Sequence, residues 1–370
     1  MKLFCLILCL SLLPVFTASA ENALPPDLYK TDDRMAVPDP TPEARRLFDW
    51  LRDCYGKKII TGQYCDGGMY GLENQAVWRA TGGSYPALLG LDMIDYTPSR
   101  VEHGGAGHSV DHALEYWEKG GIVTFCWHWN APTPYLQEER WYSGFYTRYT
   151  TFSLKKVMAG EDPEGYDLLI RDIDAIAAQL TRLKDAGVPV LWRPLHEAAG
   201  GWFWWGASGR DAYLWLWNLM FDRLTSYHGL NNLIWVWNGQ AASWYPGDET
   251  VDIIGEDIYP GERQYGSQSD KFRQCLAYTP SRKMIILSEN GCVPDPDLVF
   301  GDGTVWGSFC TWGGEFVLRS SKFNRPSEQY TEVSMLRKMY ADPRAVTRAD
   351  IPDLKNPAGE RNNGQEQKSE

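Results

Sequence analysis

The sequence lacks the short motifs that identify several common classes of hydrolase and metalloprotein. No G-x-S-x-G stretch is present, which argues against a serine hydrolase of the nucleophile-elbow type. The only histidines spaced four residues apart, His108 and His112, lack the glutamate of H-E-x-x-H, and no two cysteines stand in C-x-x-C spacing. We therefore expect no metal ion and no other cofactor.

Positive charge and long apolar runs are also scarce. The chain has 36 Lys and Arg against 48 Asp and Glu, and a formal net charge of −12. Phosphate binding needs clustered cations, so nucleic acid is not expected as a partner. Beyond the first 20 residues no stretch approaches the roughly 20 apolar residues of a membrane helix, and we expect no membrane association. A neutral polymer suits this surface better, bound by a monomeric protein.

The first 20 residues have the composition of a secretory signal peptide. Lys2 is followed by an apolar run over 3–16, and an A-x-A triplet ends at Ala20. This pattern predicts an exported protein, either secreted or periplasmic. The mature chain would then keep six of the eight cysteines, which permits up to three disulfides or, equally, a set of small buried thiols.

No interior stretch has the composition of a linker. Polar, Pro-rich sequence is confined to residues 21–42, which we interpret as an N-terminal arm, and to residues 350–370, which we interpret as a disordered tail. Residues 43–349 are therefore expected to form one domain.

Eight apolar or β-branched runs recur along this domain and predict eight strands. In order they are KKIITGQY from Lys57, YPALLGLDMID from Tyr85, GIVTFCWHW from Gly121, VPVLWRPLHE from Val188, NLIWVWN from Asn232, VDIIGEDIY from Val251, KMIILSENG from Lys283 and VWGSFCTW from Val305. Helical patterns are predicted over 41–55, 110–119, 166–186, 211–227 and 328–340.

Strands that alternate with helices favour a parallel sheet, and eight repeats favour its closure into a single α/β (β/α)8 TIM barrel. A doubly wound open sheet is the alternative, although no G-x-G-x-x-G follows the first strand.

Two glutamates end apolar strands on the side where such barrels carry their active sites. Glu197 ends the fourth predicted strand and Glu289 ends the seventh. A carboxylate at the end of an apolar run is costly to bury without a partner or a chemical role. A facing pair is the arrangement that glycoside cleavage requires, because one group protonates the leaving oxygen while the other meets the anomeric carbon.

Alternation along the strands predicts a partner for one of them. Arg193, Leu195 and Glu197 would share one face of the fourth strand, which places Arg193 inside the barrel below the glutamates. Its expected partner is Glu289, which the contact would hold ionised. Asp92 and Asp95 are alternative partners for the guanidinium. A purely structural Arg–Asp pair is the other interpretation.

The segment RPLHEAAGGWFWWG, residues 193–206, resembles the acid/base region of glycoside hydrolase family 26, a member of the retaining clan A. Four further segments resemble the same family in the same order along residues 57–340. They are CWHWNAP, WYPGDETVDIIGEDIYPG, LSENG and WGSFCTWGGEF. The resemblance implies that Glu197 is the acid/base and Glu289 the nucleophile of a retaining enzyme.

The resemblance also implies roles for residues around this pair. His128 and His196 would bind the sugar at the point of cleavage, Trp202 would lie on its leaving-group side and Trp312 would form an apolar floor. Asp257 and Tyr259 would flank the nucleophile. Four other tryptophans are expected in the core or wall, namely Trp204, Trp205, Trp235 and Trp237.

Substrate choice within this family is less sharply indicated. Most members are endo-β-1,4-mannanases, so mannan is expected first, with mixed-linkage β-glucan and β-1,3-xylan as alternatives. Ala198 and Ala199 replace a larger and a polar residue that the family often carries there, so contacts from those side chains are missing. A non-catalytic carbohydrate-binding relative is the alternative from another class, but it would have lost one of the two glutamates.

Overall fold

Eight parallel strands close into a barrel in the computed structural model, which describes residues 24–356. In chain order the strands are β1 (Gly62–Tyr64), β2 (Leu88–Asp92), β3 (Ile122–Cys126), β4 (Val190–Arg193), β5 (Leu233–Trp237), β6 (Ile253–Ile258), β7 (Met284–Asn290) and β8 (Phe309–Thr311). Gln63 of β1 pairs with Thr311 of β8 and completes the ring. The predicted (β/α)8 barrel is confirmed, and the open sheet is wrong because both edges are paired.

The strands form where they were predicted because they are apolar on both faces. Every residue of β3, β4, β5 and β7 is buried, since one face fills the barrel and the other packs under helices. The amino-terminal end of the barrel is closed by aliphatic side chains, including Leu51, Leu88, Ile122 and Met284. Charged side chains such as Arg193 and Glu289 lie toward the opposite end, at the carboxyl ends of the strands.

Eleven α-helices surround the barrel in the described residues. They are α1 (Pro42–Cys54), α2 (Leu72–Thr81), α3 (Pro98–Glu102), α4 (Ser109–Glu118), α5 (Leu154–Met158), α6 (Pro163–Asp185), α7 (Trp204–Ala207), α8 (Arg210–Asp222), α9 (Ser269–Leu276), α10 (Pro296–Gly301) and α11 (Val333–Ala341). Between residues 24 and 356 there is no helix of the length and apolarity that a bilayer crossing requires.

Helix α6 shows how local sequence sets an element. Asp162 caps its first turn by accepting a hydrogen bond from the Gly165 N–H at 2.9 Å. One face buries the apolar residues that recur at helical spacing, Leu169, Ile173, Ile176, Ala177, Leu180 and Leu183. Gly187 then adopts a left-handed φ of +67°, which ends the helix before β4.

Short or weakly amphipathic helices were missed in the sequence. Neither α2 nor α9 was predicted, and α11 begins at Val333 rather than Glu328. Helix α8 continues through Arg223–Tyr227 as a π-helical turn, in line with the predicted end at Tyr227. The short helices are stabilised mainly by packing against the barrel, so their own sequences carry little signal.

Both chain ends that are described pack against the barrel. Leu24, Met35 and Val37 of the predicted arm are buried, and α1 begins at Pro42. Leu354 of the predicted tail is also buried, and its carbonyl accepts a hydrogen bond from Arg46 Nε at 2.8 Å. Residues 24–41 and 350–356 are therefore parts of the folded unit. The predicted signal peptide, residues 1–20, lies outside the described residues.

The disulfide prediction is wrong for the part of the chain that the structure describes. All six cysteines between residues 24 and 356 are free thiols, and all are buried. Cys126 and Cys310 lie on barrel strands, and Cys54 and Cys275 on helices. Cys65 and Cys292 lie just beyond strand ends, where their thiols donate to Glu73 and to the Gly261 carbonyl. The alternative interpretation, small buried thiols, is the one that the structure supports.

Candidate active site

All nine residues singled out in the sequence lie around the carboxyl-terminal mouth of the barrel. Arg193 ends β4, Asp257 lies on β6 and Glu289 on β7. The others follow the ends of β3, β4, β6 and β8, and they are His128, His196, Glu197, Trp202, Tyr259 and Trp312. One site thus collects side chains from residues 128 to 312.

The backbone around Glu197 differs from the predicted extension of β4. The strand ends at Arg193, and Leu195 and Glu197 adopt left-handed φ values of +53° and +54°. Simple alternation therefore does not carry the strand face as far as Glu197, and that prediction is wrong. Non-glycine residues rarely adopt this conformation, and such strain is commonly held at functional sites by surrounding contacts.

The contacts that hold this turn come from the end of β5. The Glu197 N–H donates to the Asn238 carbonyl at 2.7 Å, and the Ala199 N–H donates to the Gly239 carbonyl at 3.2 Å. Ala198 is fully buried, with its carbonyl close against Gly206. A larger side chain at position 198 would therefore need a different packing around this turn.

Glu197 lies in a setting that favours its protonated form. Burial raises the pKa of Glu197, and the neighbouring charge of Glu289 raises it further. Its Oε2 accepts a hydrogen bond from Trp202 Nε1 at 2.9 Å, while the Trp202 ring remains 45% exposed. A carboxyl group that keeps its proton and faces the open mouth is suited to act as a general acid.

Glu289 lies in the opposite setting. Its Oε1 accepts a hydrogen bond from Arg193 Nη2 in a buried ion pair, and its Oε2 accepts one from the Tyr259 hydroxyl at 2.6 Å. Both oxygens therefore have donors, which stabilise the ionised carboxylate. The predicted contact between Arg193 and Glu289 is present.

Arg193 also has partners that the sequence did not indicate. Its Nη1 donates to Asp257 Oδ2 at 2.9 Å and to Asn238 Oδ1 at 3.0 Å, and its Nη2 donates to the Tyr64 hydroxyl at 2.9 Å. Arg193 is fully buried, so these contacts replace the water that its charge has lost. The proposed competitors lie elsewhere: Asp92 binds His128, and Asp95 lies 3.5 Å from Arg100.

Three carboxyl groups meet above Arg193. One oxygen from each of Glu197, Asp257 and Glu289 lies within 4.8 Å of the others. Burial raises the pKa of Asp257 well above its usual range, although Arg193 lowers it and the Ser288 hydroxyl donates to Oδ1 at 2.6 Å. One guanidinium cannot balance three negative charges in a buried site, so a proton is retained among them.

Two histidines form a hydrogen-bonded chain beside the carboxyl groups. His128 Nδ1 lies 2.6 Å from Asp92 Oδ2, and the two Nε2 atoms of His128 and His196 are 3.3 Å apart. Burial opposes protonation of His128, but the charge and hydrogen bond of Asp92 outweigh it and raise the pKa of His128. Burial and the positive charge of Arg193 lower the pKa of His196 well below its usual value. His196 is therefore the neutral ring, which accepts the Nε2 proton of His128.

Aromatic rings line the rest of the mouth. Trp312 follows β8, with its ring centroid 4.6 Å from that of Tyr64 and 5.8 Å from that of His128. Phe203 lies 5.4 Å from His128 and 5.1 Å from His196. The four tryptophans expected in the core or wall are all buried, as predicted: Trp204, Trp205, Trp235 and Trp237.

Several site residues were missed in the sequence. Tyr64 and Asn238 each lie at or next to the end of a barrel strand, so a search of all eight strand ends for polar side chains would have found them. Asp92 was named in the sequence, but as a candidate partner of Arg193 and not of His128. Ser288 carries no such signal. It reaches Asp257 because the pairing of β6 with β7 shifts register between Glu256 and Asp257, which a sequence pattern does not show.

Comparison with known proteins shows the family of this chain. Residues 36–350 match the model of glycosyl hydrolase family 26. The chain belongs to glycosyl hydrolase family 26. Within the family it is 46% identical over 295 residues to a mannan endo-1,4-beta-mannosidase of Thermothelomyces thermophilus, an alignment that covers 78% of this chain and 58% of that protein. The chain spans about half the length of the curated relatives it matches.

Solved structures of family 26 proteins have the same fold. The GH26-CBM35 beta-(1,4)-mannanase of Podospora anserina is 41% identical, with a TM-score of 0.81 over 88% of this chain and 70% of that chain. A beta-mannanase from a symbiotic protist of the termite Reticulitermes speratus, complexed with gluco-manno-oligosaccharide, is 33% identical, with a TM-score of 0.76 over 87% of this chain and 98% of that chain.

Proposed function

We propose that this family 26 chain is an endo-β-1,4-mannanase that cleaves mannan-type polysaccharide with retention of anomeric configuration. The observation that carries the proposal is the asymmetric pair at the mouth, with oxygens of Glu197 and Glu289 within 4.8 Å of each other. Retaining glycosidases hold their two carboxyl groups about 5 to 5.5 Å apart, whereas inverting enzymes leave about 6.5 to 9.5 Å for a water molecule.

The environments of the two glutamates support different roles for them. Glu289, which accepts hydrogen bonds from Arg193 and Tyr259, attacks the anomeric carbon while Glu197 gives its proton to the departing glycosidic oxygen. The glycosidic C–O bond breaks as the Glu289–carbon bond forms. Glu197, now ionised, then takes a proton from water, which attacks the same carbon and releases Glu289.

Other residues at the mouth would bind the sugar. His128 and His196 would contact the ring at the point of cleavage, and Trp312 would offer an apolar face beneath it. Trp202 contacts Glu197 and is open to solvent, which suits a place on the leaving-group side. The relatives support mannan as the substrate, because they are mannan endo-1,4-beta-mannosidases.

Purified mature protein is expected to release oligosaccharides from β-mannan without added metal, and EDTA should leave the rate unchanged. Reducing-sugar release from mannan, galactomannan, mixed-linkage glucan and β-1,3-xylan checks the assignment. Faster turnover of lichenan or β-1,3-xylan than of any mannan would replace mannan as the substrate, and loss of activity in EDTA would contradict a mechanism based on carboxyl groups alone.

We also propose that the protein is exported after cleavage behind Ala20. The support is the sequence of residues 1–20, with its early lysine, apolar run and A-x-A ending. The mass of the exported chain is expected to correspond to a protein that begins at Glu21. A chain recovered only inside the cell, with Met1 or Lys2 at its start, would contradict this proposal.

A further inference from the structure

The segment between β3 and α6 returns to the turn that carries Trp202. The Thr147 N–H donates to the Trp202 carbonyl at 2.8 Å, and the Thr147 hydroxyl donates to the Gly201 carbonyl at 3.0 Å. Tyr146 and Phe203 form an isolated antiparallel bridge at the same place. The backbone of Tyr146 and Thr147 is thus held in a defined position beside Trp202.

This segment presents two tyrosine rings next to the mouth. The Tyr146 ring stacks on Phe203, with centroids 5.5 Å apart and planes 24° apart, and Tyr149 lies 6.4 Å from Tyr146 at 74°. The Arg148 guanidinium lies 5.1 Å from the Tyr146 ring centroid and 4.8 Å from that of Tyr149. Both tyrosines are half-buried and Arg148 is exposed, so rings and guanidinium are fixed yet accessible.

Rings in this arrangement have the chemistry of a sugar-binding surface. Aromatic faces stack on the C–H faces of pyranose rings, and an exposed guanidinium offers several N–H donors to hydroxyl groups. The rings of Trp202 and Phe203 lie 6.3 Å apart, so a series of aromatic contacts runs from Trp202 through Phe203 to the two tyrosines. A neutral polymer chain that follows this series from Trp202 would contact them.

We propose that Tyr146, Arg148 and Tyr149 form a binding site for sugar residues of the leaving-group part of the polysaccharide, beyond the residue next to Trp202. The inference rests on the proposed function, because it needs a β-linked chain cleaved between Glu197 and Glu289. Thr147 serves this site as a positioning residue, since it links the tyrosine segment to the turn of Trp202.

The test compares substrates that differ only in how far they extend past the cleavage point. For Tyr149→Ala we expect kcat/KM on β-1,4-mannohexaose and mannan to fall about 3- to 10-fold, since an aromatic contact of this kind is worth roughly that factor. On an aryl β-mannobioside, whose leaving group is one phenol, kcat/KM should stay within about twofold of wild type. Tyr149→Phe should retain the wild-type values on both substrates.

Two further variants separate a binding effect from a folding effect. Arg148→Ala, at an exposed position, should lower kcat/KM on mannohexaose about 2- to 5-fold. Tyr227→Ala is the matched control, because Tyr227 is 67% exposed beneath the Arg223 guanidinium at 3.6 Å but precedes β5, at the other end of the barrel. This variant should leave kcat/KM on both substrates unchanged.

Each outcome decides the proposal. The site would be overturned if Tyr149→Ala and Arg148→Ala lost kcat/KM equally on the hexaose and the aryl glycoside. It would also be overturned if they lost none on either substrate. Both outcomes leave the proposed function intact. A wild-type protein that cleaves no β-mannan and no aryl mannobioside would overturn the proposed function, and the site with it.

Discussion

Glu289→Ala is expected to abolish turnover of both polysaccharide and activated aryl glycoside, whereas Glu197→Ala should lose turnover of the polysaccharide but still form the glycosyl-enzyme from the aryl glycoside. Without Glu289 no group can attack the anomeric carbon. Loss of a general acid typically costs about 10² to 10⁴ in rate, and the cost depends on how much the leaving group needs a proton. A phenolate leaves unaided, so Glu197→Ala should still form the glycosyl-enzyme quickly from an aryl mannobioside.

Burst kinetics of the two variants measure this difference directly. A burst from Glu289→Ala and none from Glu197→Ala would reverse the roles. Proton NMR of the first-formed product should show the β anomer, and an initial α product would exclude retention.

Glu256→Gln provides the matched control. Glu256 is a buried glutamate on β6, but it contacts Lys271, Cys275 and Tyr278 and has no contact with the carboxyl pair, so this variant should keep its activity.

The pH profile gives a second view of the same pair. A general acid must be protonated, so kcat/KM on polysaccharide falls as the pH rises through the pKa of Glu197. Because burial and the Glu289 charge raise that pKa, we expect the basic limb to lie above the usual range of a glutamate. Glu197→Ala, followed on the aryl glycoside, should lack this limb.

Arg193→Met is expected to give the second largest effect, on stability and on activity together. Removing the guanidinium leaves Glu289 and Asp257 buried without their cation, and breaking a buried pair in this way typically costs about 3 to 5 kcal/mol of the free energy of unfolding. In the proposed mechanism Glu289 would lose the donor to its Oε1, so its attack on the anomeric carbon should be slower. Misplacement of Glu289 should also lower kcat by about 100-fold.

Arg223→Met is the matched control for this variant. Arg223 forms a two-bond pair with Asp174, at 2.8 and 2.7 Å, but on the partly exposed surface of the barrel. Surface pairs of this kind contribute about 0 to 1 kcal/mol to the free energy of unfolding. The denaturation midpoint and kcat/KM of this variant should therefore change little. A folded Arg193→Met protein with full activity would show that Arg193 is a structural residue only.

The sequence determined the barrel and the members of its site. Eight apolar runs were enough to predict the eight strands, because burial on both faces leaves a continuous apolar pattern. Two of these runs end in Glu197 and Glu289. The same pattern placed the two carboxyl groups at one end, since strands that are all parallel bring their carboxyl ends together. The segment of residues 193–206 carried the family.

Only the tertiary structure decided how these residues meet. Alternation along β4 predicts that Arg193 and Glu197 share a face, yet left-handed residues at 195 and 197 change the direction of the chain. The contact of Arg193 with Asp257 joins residues that are 64 positions apart. Thr147, in a segment of short helical turns, reaches the Gly201 carbonyl across 54 residues. Such contacts depend on backbone turns and strand register, where a shift of one residue redirects a side chain, and the local sequence has no period that records them.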